Sequence, residues 1–208
     1  MEVDIELRRY VEANILPCYH DFDKAHRVDH ALTVIEESLR LSEHYPETRA
    51  DMVYVVAAYH DTGLVNGREN HHVDSGRILL SDDNLRRWFD DDELRVMAEA
   101  VEDHRASSGH EPRSIYGKIV AEADRLIDVD TVIRRTVQYG LKHYPALTEE
   151  EQYERMCAHL REKYLEGGYL RLWIPESENG VRLARLREVA ADTSRLRALF
   201  NKYYSQEK

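Results

Sequence analysis

The sequence predicts an all-α protein that folds as a single domain. Apolar residues recur at helical spacing in most segments, as at Ala31, Ile35 and Leu39. No pair of alternating strands joined by a hairpin turn and no tandem repeat is visible. A chain of 208 residues is long enough for one well-buried core. Together these observations favour one helical bundle.

The N-terminal part is predicted to contain three helices. The first is amphipathic and stops at Pro17, and residues 19–24 form a polar loop. The second runs from about Ala25 to Tyr45, where Pro46 closes it. The third covers roughly Arg49 to His60. It is the most apolar segment of the chain, so it should be the central and most buried helix.

Turn and cap signals divide the middle of the chain. Residues 62–70 contain Gly63 and Gly67 and are predicted to be a loop. A short helix follows from about His71 to Leu80, and another reaches from Asp90 or Asp91 to about His104. Ser114 can cap a helix that continues through Asp128.

The C-terminal part is predicted to be a helical extension, residues 131–208, of a core at residues 20–130. One helix covers about 130–144. Thr148 begins a capping-box pattern that opens a helix to about Glu166. Residues 169–174 alternate weakly and suggest a short extended piece. The last helix is expected over roughly 180–203.

Composition excludes several classes of function. The net charge of −11 argues against a nucleic-acid backbone as the main partner, because such binding needs a basic face. Two cysteines imply no disulfide framework. No signal peptide is visible, and no apolar run approaches the length of a membrane span. We therefore expect a cytoplasmic protein with no nucleic-acid or membrane partner.

A His-Asp pair ends the most apolar helix. His60 and Asp61 follow the run Met52–Ala58, and His30 lies 30 residues before His60. Asp124 stands among small and apolar residues of a predicted helix, where a carboxylate needs a cation or several hydrogen bonds. Two imidazoles and two carboxylates suit Mn²⁺, Fe²⁺, Zn²⁺, Co²⁺ or Ni²⁺, and such an ion would compensate Asp124.

These residues resemble the pattern of the HD-domain metal-dependent phosphohydrolases, which is a His, a His-Asp dyad about 25–35 residues later, and a distant Asp. The resemblance covers roughly residues 20–130 and implies a helical bundle of the HD-domain type. It implies His30, His60, Asp61 and Asp124 as ligands of a divalent ion, Mg²⁺ included among the candidates. His26 shares a helix face with His30 and competes for the first position, but is interpreted as a pocket residue.

The resemblance extends to a second set of histidines. Relatives with two ions take further ligands from places equivalent to His71 and His104, whereas in relatives with one ion these side chains face the pocket. His71 lies four residues before Ser75, as in the family's pattern, so it is preferred to His72. One or two ions are therefore expected.

Roles in a reaction follow from the same resemblance. Asp61 would bind the ion and orient the attacking water, while His71 and His104 would steady the phosphate. The predicted substrate-binding residues are His26, Arg68 and Arg105, since a guanidinium can hold a phosphate by a forked contact.

Departures from the family pattern narrow the expected activity. Thr62 and Gly63 follow the dyad where alarmone hydrolases carry Glu-Asp, and Leu64 stands where one branch of cyclic di-GMP phosphodiesterases carries Lys. The chain thus looks like a small bacterial branch of phosphohydrolases that act on nucleotides or small phosphate esters. A small phosphorylated substrate is the expected partner, and a homodimer is compatible with this reading. The alternatives are a non-catalytic nucleotide sensor that uses the same metal pocket and a helical interaction protein with a structural metal.

Overall fold

The structure is a computed structural model that describes residues 2–22, 28–125 and 127–208. Regular structure in these residues is helical throughout, without a strand, which confirms the all-α class. The chain divides into two compact units, Met1–Asp124 with Trp173–Ser177, and Arg125–Leu172 with Glu178–Lys208. The single domain and the core boundaries expected from the sequence stay predictions.

The described residues of the first unit form six α-helices connected in part by 3₁₀-helices. The α-helices are α1 (Ile5–Asn14), α2 (Val28–Ser42), α3 (Ala50–Tyr59), α4 (His71–Leu80), α5 (Asp91–Glu102) and α6 (Ile115–Ala123). The 3₁₀-helices are Leu16–Asp21, Thr62–Asn66 and Asp83–Arg87. The observed bounds of α4 are those predicted from the sequence.

Helix α3 is the centre of the first unit. Every residue of α3 except Asp51 is buried, and α3 packs on α1, α2, α4, α5 and α6. A helix that is apolar all round can exist only where neighbours cover every face. This burial confirms the sequence prediction and places the end of α3, with His60 and Asp61, deep in the unit.

Two local predictions for this unit are wrong. Residues 19–24 were expected to be a polar loop, but Leu16–Asp21 is a 3₁₀-helix and Tyr19 is fully buried. The helix opened by Ser114 ends at Ala123 instead of Asp128, so Asp124 is its C-terminal cap. Residues 169–174 form neither a helix nor a strand, and the short extended piece expected there stays a prediction. Residues 23 and 24 of the predicted loop and the first residues predicted for the second helix, 25–27, lie outside the described residues.

Four α-helices lie in the part of the second unit that the structure describes. They are α7 (Val129–His143), α8 (Glu149–Lys163), α9 (Asn179–Ala191) and α10 (Thr193–Glu207). The capping box at Thr148 is present as predicted. The prediction of a single last helix over 180–203 is wrong, because two helices meet at Asp192. The Asp192 side chain caps α10 by accepting a hydrogen bond from the Arg195 amide. No described helix has the length and apolarity to span a membrane.

Candidate metal centre

The end of α3 presents the His-Asp pair to a buried space. His60 is the C-terminal cap of α3, and both His60 and Asp61 are buried. The Tyr19 hydroxyl donates to Ala58 O at 2.9 Å and accepts from the Asp61 amide at 3.2 Å, so it fixes the backbone on both sides of His60. Sequence reasoning missed this role of Tyr19. The apolar neighbours Ile15 and Leu16 were the available signal that this segment is buried.

The first group of candidate ligands is formed by His30, His60 and Asp124. His30 Nε2 lies 3.3 Å from His60 Nε2 and 3.1 Å from Asp124 Oδ1. His60 Nε2 lies 3.9 Å from the same Asp124 oxygen. Three chain segments, α2, the end of α3 and the end of α6, thus bring their side chains to one point.

The second group is formed by Asp61, His71 and His104. The Nε2 atoms of His71 and His104 lie 3.2 Å apart, and each lies 3.5 Å from Asp61 Oδ1. His71 is the first residue of α4, and His104 follows the end of α5. The structure therefore brings together the six residues predicted as ligands or catalytic histidines.

Asp61 connects the two groups because its two oxygens face different histidines. Oδ1 faces His71 and His104, whereas Oδ2 lies 3.3 Å from His60 Nε2 and 3.7 Å from His30 Nε2. A carboxylate in this position can give one oxygen to each group.

Backbone carbonyls orient three of the four imidazoles. The Nδ1 atoms of His60, His71 and His104 lie 2.7, 2.9 and 2.6 Å from the carbonyl oxygens of the residues three positions earlier, Ala57, Arg68 and Val101. A carbonyl only accepts hydrogen bonds, so Nδ1 carries a proton and Nε2 faces the group, where it can bind an ion once it carries no proton itself. This is the arrangement that metal-binding histidines generally adopt.

Electrostatics keep the two carboxylates ionised. Burial would raise the pKa of Asp61, but His60 and His104 outweigh it and hold that pKa well below the usual value. Burial would also raise the pKa of Asp124, but the hydrogen bond with His30 and the charge of His60 outweigh it and lower that pKa to about 2. Burial would lower the pKa of His60, but Asp61 and Asp124 raise it to about 9.

His71 behaves in the opposite way to His60. Burial and the neighbouring His104 lower the pKa of His71 to about 4, so its imidazole is neutral near pH 7. A neutral imidazole is the form that binds metals.

The turn between the dyad and α4 is held by a close backbone approach. The Gly63 amide donates to the Ser75 hydroxyl at 2.8 Å. A Cβ on Gly63 would lie 2.5 Å from Ser75 N and still closer to His71 O. Only glycine allows this approach, which sets the position of His71 relative to Asp61.

The remaining predicted site residues lie around the second group. Arg105 Nη1 donates to Glu69 O at 2.7 Å and lies 3.4 Å from His72 Nδ1. Arg68 has an exposed side chain, and its carbonyl accepts from His71. His72 belongs to neither ligand group. His26 lies outside the described residues.

The donor set fits divalent ions. Ligand atoms about 2.0–2.1 Å from one ion stand roughly 2.8–3.4 Å apart in octahedral or tetrahedral geometry, and most of the separations above fall in or near this range. Imidazole nitrogens with carboxylate oxygens suit Mn²⁺, Fe²⁺, Co²⁺, Ni²⁺ and Zn²⁺. The residues can therefore hold such ions without rearrangement of the helices.

Comparison with known proteins identifies the family. Residues 27–127 match the model of the HD domain, and this segment contains all six residues of the two groups. No curated protein and no solved structure matches the chain. HD domains bind divalent metals and are generally metal-dependent hydrolases. The segment of residues 27–127 belongs to the HD-domain superfamily.

Proposed function

We propose that the protein is a metal-dependent phosphohydrolase that acts on a nucleotide or a small phosphate ester. The proposal rests on the position of Asp61, because its buried and ionised carboxylate faces two sets of imidazole nitrogens. A first ion would be held by His30, His60, Asp61 Oδ2 and Asp124.

We further propose a second ion, held by Asp61 Oδ1, His71 and His104. The two Nε2 atoms stand 3.2 Å apart, and like Asp61 Oδ1 they face a common point. Their Nδ1 atoms are hydrogen-bonded to backbone carbonyls, so Nε2 is the nitrogen of each ring that can bind an ion. A merely pocket-lining pair of histidines would not need this shared orientation.

Divalent ions in such a site polarise a phosphoryl oxygen and lower the pKa of a bound water. The residues of the chain orient the attacking water and hold the substrate. The ionised Asp61 accepts a hydrogen bond from the attacking water and orients it. The hydrogen bond from its backbone amide to the Tyr19 hydroxyl sets the position of Asp61. Both residues are buried, which excludes competing water from this hydrogen bond. Hydrolysis then forms a bond from the water oxygen to phosphorus and breaks the bond to the leaving group, which takes up a proton.

Arg105 is the candidate for holding the phosphate. Its one described side-chain hydrogen bond to a backbone group orients the guanidinium beside His72, and no carboxylate of the described residues lies within ion-pair distance of it. A guanidinium in this state can bind a phosphoryl oxygen without first breaking an ion pair.

The first experiment measures the metal content of the purified protein and then phosphate release from nucleotides and small phosphate esters with added Mn²⁺, Co²⁺, Ni²⁺ and Mg²⁺. Two ions per chain together with metal-dependent release are expected. One ion with release would overturn the second site alone. Absence of metal under all of these conditions would overturn the proposed centre.

The matched pair of variants is Asp61→Ala and Asp83→Ala. Both remove one carboxylate from the first unit, but the Asp83 side chain is 89% exposed and belongs to neither group. Asp61→Ala should lose metal and turnover while keeping its helical content. Full metal-dependent turnover in Asp61→Ala would refute the assignment.

A further inference from the structure

A cleft of about 450 Å³ lies beside the second ligand group. Its walls come from the start of α4 and from the loop between α5 and α6. The lining residues are His72, Val73, Glu102, Ser108, His110, Glu111 and Arg113. Ligand pockets commonly have this volume, which is enough for a leaving group the size of a sugar or a nucleoside.

The side chain of His72 separates the cleft from the candidate metal centre. His72 lines the cleft, and its ring centroid lies 5.6 Å from that of His71. His72 also lies 3.4 Å from the candidate phosphate-binding Arg105. A phosphate ester with its phosphorus at the centre would therefore extend its leaving group toward this cleft.

The wall of the cleft around Arg113 is a fixed ion-pair cluster. The Arg113 guanidinium contacts Asp103 at 2.9 Å and Glu102 at 2.7 Å, and its backbone amide donates to Asp103 at 2.6 Å. Asp103 is buried, so Arg113 must stay with it to avoid an unpaired buried charge. Arg113 is thus committed to carboxylates and is not available to a phosphate.

The charge that remains in the cleft is negative. Two lining residues, Glu102 and Glu111, are carboxylates, and Arg113 is the one guanidinium of the lining. Asp103 lies behind it and adds a further carboxylate. Lys118 stands outside the lining but pairs with Glu111 at 2.5 Å, so the three carboxylates face two cations and a net charge of about −1 remains. Carboxylate oxygens accept hydrogen bonds and repel anions.

We infer that the cleft receives the leaving group of a phosphate monoester and selects one that carries hydroxyl or amino donors and no negative charge of its own. This inference rests on the proposed function and deepens it. Hydroxyl or amino groups of the leaving group would donate to Glu102 and Glu111, with Ser108 and His110 as further polar partners. A di- or triphosphate cleaved at its terminal phosphorus would instead place its remaining phosphates against these carboxylates.

The test compares matched substrates that differ only in phosphate number, AMP with ATP and GMP with GTP, and includes ribose 5-phosphate. Free metal ion is held constant because triphosphates bind it. The kcat/KM of each monophosphate should exceed that of its triphosphate by at least about tenfold at low ionic strength, and added salt should narrow the gap because it screens exposed charges.

Glu111→Lys reverses a charge that lines the cleft, and Glu43→Lys makes the same change in net charge at an exposed residue outside the lining. Neither residue belongs to the ligand groups. Glu111→Lys should reduce the preference for monophosphates by about tenfold, since the Coulomb term changes sign at the cleft. Glu43→Lys should leave the preference unchanged.

The outcomes separate the two proposals. Metal-dependent release without a preference for monophosphates, or with a preference that Glu111→Lys leaves intact, overturns the role of the cleft and preserves the phosphohydrolase. Absence of release from all five probes by the metal-loaded protein counts against both. If the preference for monophosphates disappears in Glu43→Lys as well, it arises from the net charge of the protein, and the role of the cleft is overturned.

Discussion

The Tyr19 hydroxyl accepts a hydrogen bond from the Asp61 amide, at 3.2 Å, although the two residues lie far apart in the chain. The same hydroxyl donates to Ala58 O at 2.9 Å. Both residues are buried, so water has little access to these backbone groups. Tyr19 thus acts on the candidate metal centre through the backbone that carries Asp61, without belonging to either ligand group.

Tyr19→Phe should weaken metal binding more than it disturbs the fold. Loss of the hydroxyl leaves buried groups unsatisfied at a cost of about 1–3 kcal/mol in the free energy of unfolding. Loss of such an outer partner typically lowers metal affinity by about 10–100-fold. Metal titration by calorimetry and urea unfolding measure the two effects.

Tyr139→Phe is the control for this variant, because the Tyr139 side chain is exposed and has no described hydroxyl hydrogen bond. It should change neither metal affinity nor stability appreciably. Unaltered metal affinity in Tyr19→Phe would show that the hydroxyl does not position Asp61.

Gly63→Ala should displace α4 and with it His71. The added Cβ would meet backbone atoms of His71 and Ser75, which cannot rotate away as a side chain would. Overpacking of this kind costs about 1–3 kcal/mol. Gly180→Ala is the control, since no atom lies within 4 Å of its Cβ position. We expect metal content to fall in Gly63→Ala alone, and two retained ions would contradict the proposed coupling.

Metal removal should lower thermal stability in a way that depends on Asp61. An ion that binds only the folded chain adds about 2.7 kcal/mol when its free concentration is 100 times the Kd. A chelator should therefore lower the Tm by roughly 5–10 °C for a chain of this size. Asp83→Ala should show the full shift and Asp61→Ala a much smaller one. Equal shifts in both variants would mean that the ion binds elsewhere.

The stability of the first unit should depend on Asp82 at acid pH. Asp82 Oδ2 accepts hydrogen bonds from Tyr10 at 2.5 Å and Tyr59 at 2.6 Å. Burial would raise the pKa of Asp82, but the hydrogen bonds from Tyr10, Tyr59 and Asn84 outweigh it and lower the pKa. A lowered pKa in the folded state means that the stabilisation is complete above the unfolded pKa, about 3.9, and is lost as the pH falls below it.

Asp82→Asn tests this by urea unfolding between pH 6 and pH 3. The difference in unfolding free energy between wild type and variant should be constant above about pH 5 and shrink below about pH 4, because wild type alone loses the ionised acceptor. The exposed Asp83→Asn should track wild type throughout. A difference that stays constant down to pH 3 would refute the role of Asp82.

Features that depend on a few neighbouring residues could be predicted from the sequence. The bounds of α4, the Ser114 cap and the capping box at Thr148 are local, and the structure agrees with each of them. The burial of α3 followed from its uniform apolarity. The early end of α6 and the break at Asp192 were missed, since apolar periodicity continues through both places and hides a local cap.

The sequence by itself determined the helical class and, through its resemblance to the HD family, the six residues that could form a metal site. Only the tertiary structure decided that the two oxygens of Asp61 face different histidine pairs, that Tyr19 holds its backbone, and that His72 lines a cleft together with Glu102 and Glu111. Periodicity and capping are set within a turn or two of helix. Distances between side chains of α2, α3, α4 and α6 depend instead on how those helices pack, which no local pattern encodes.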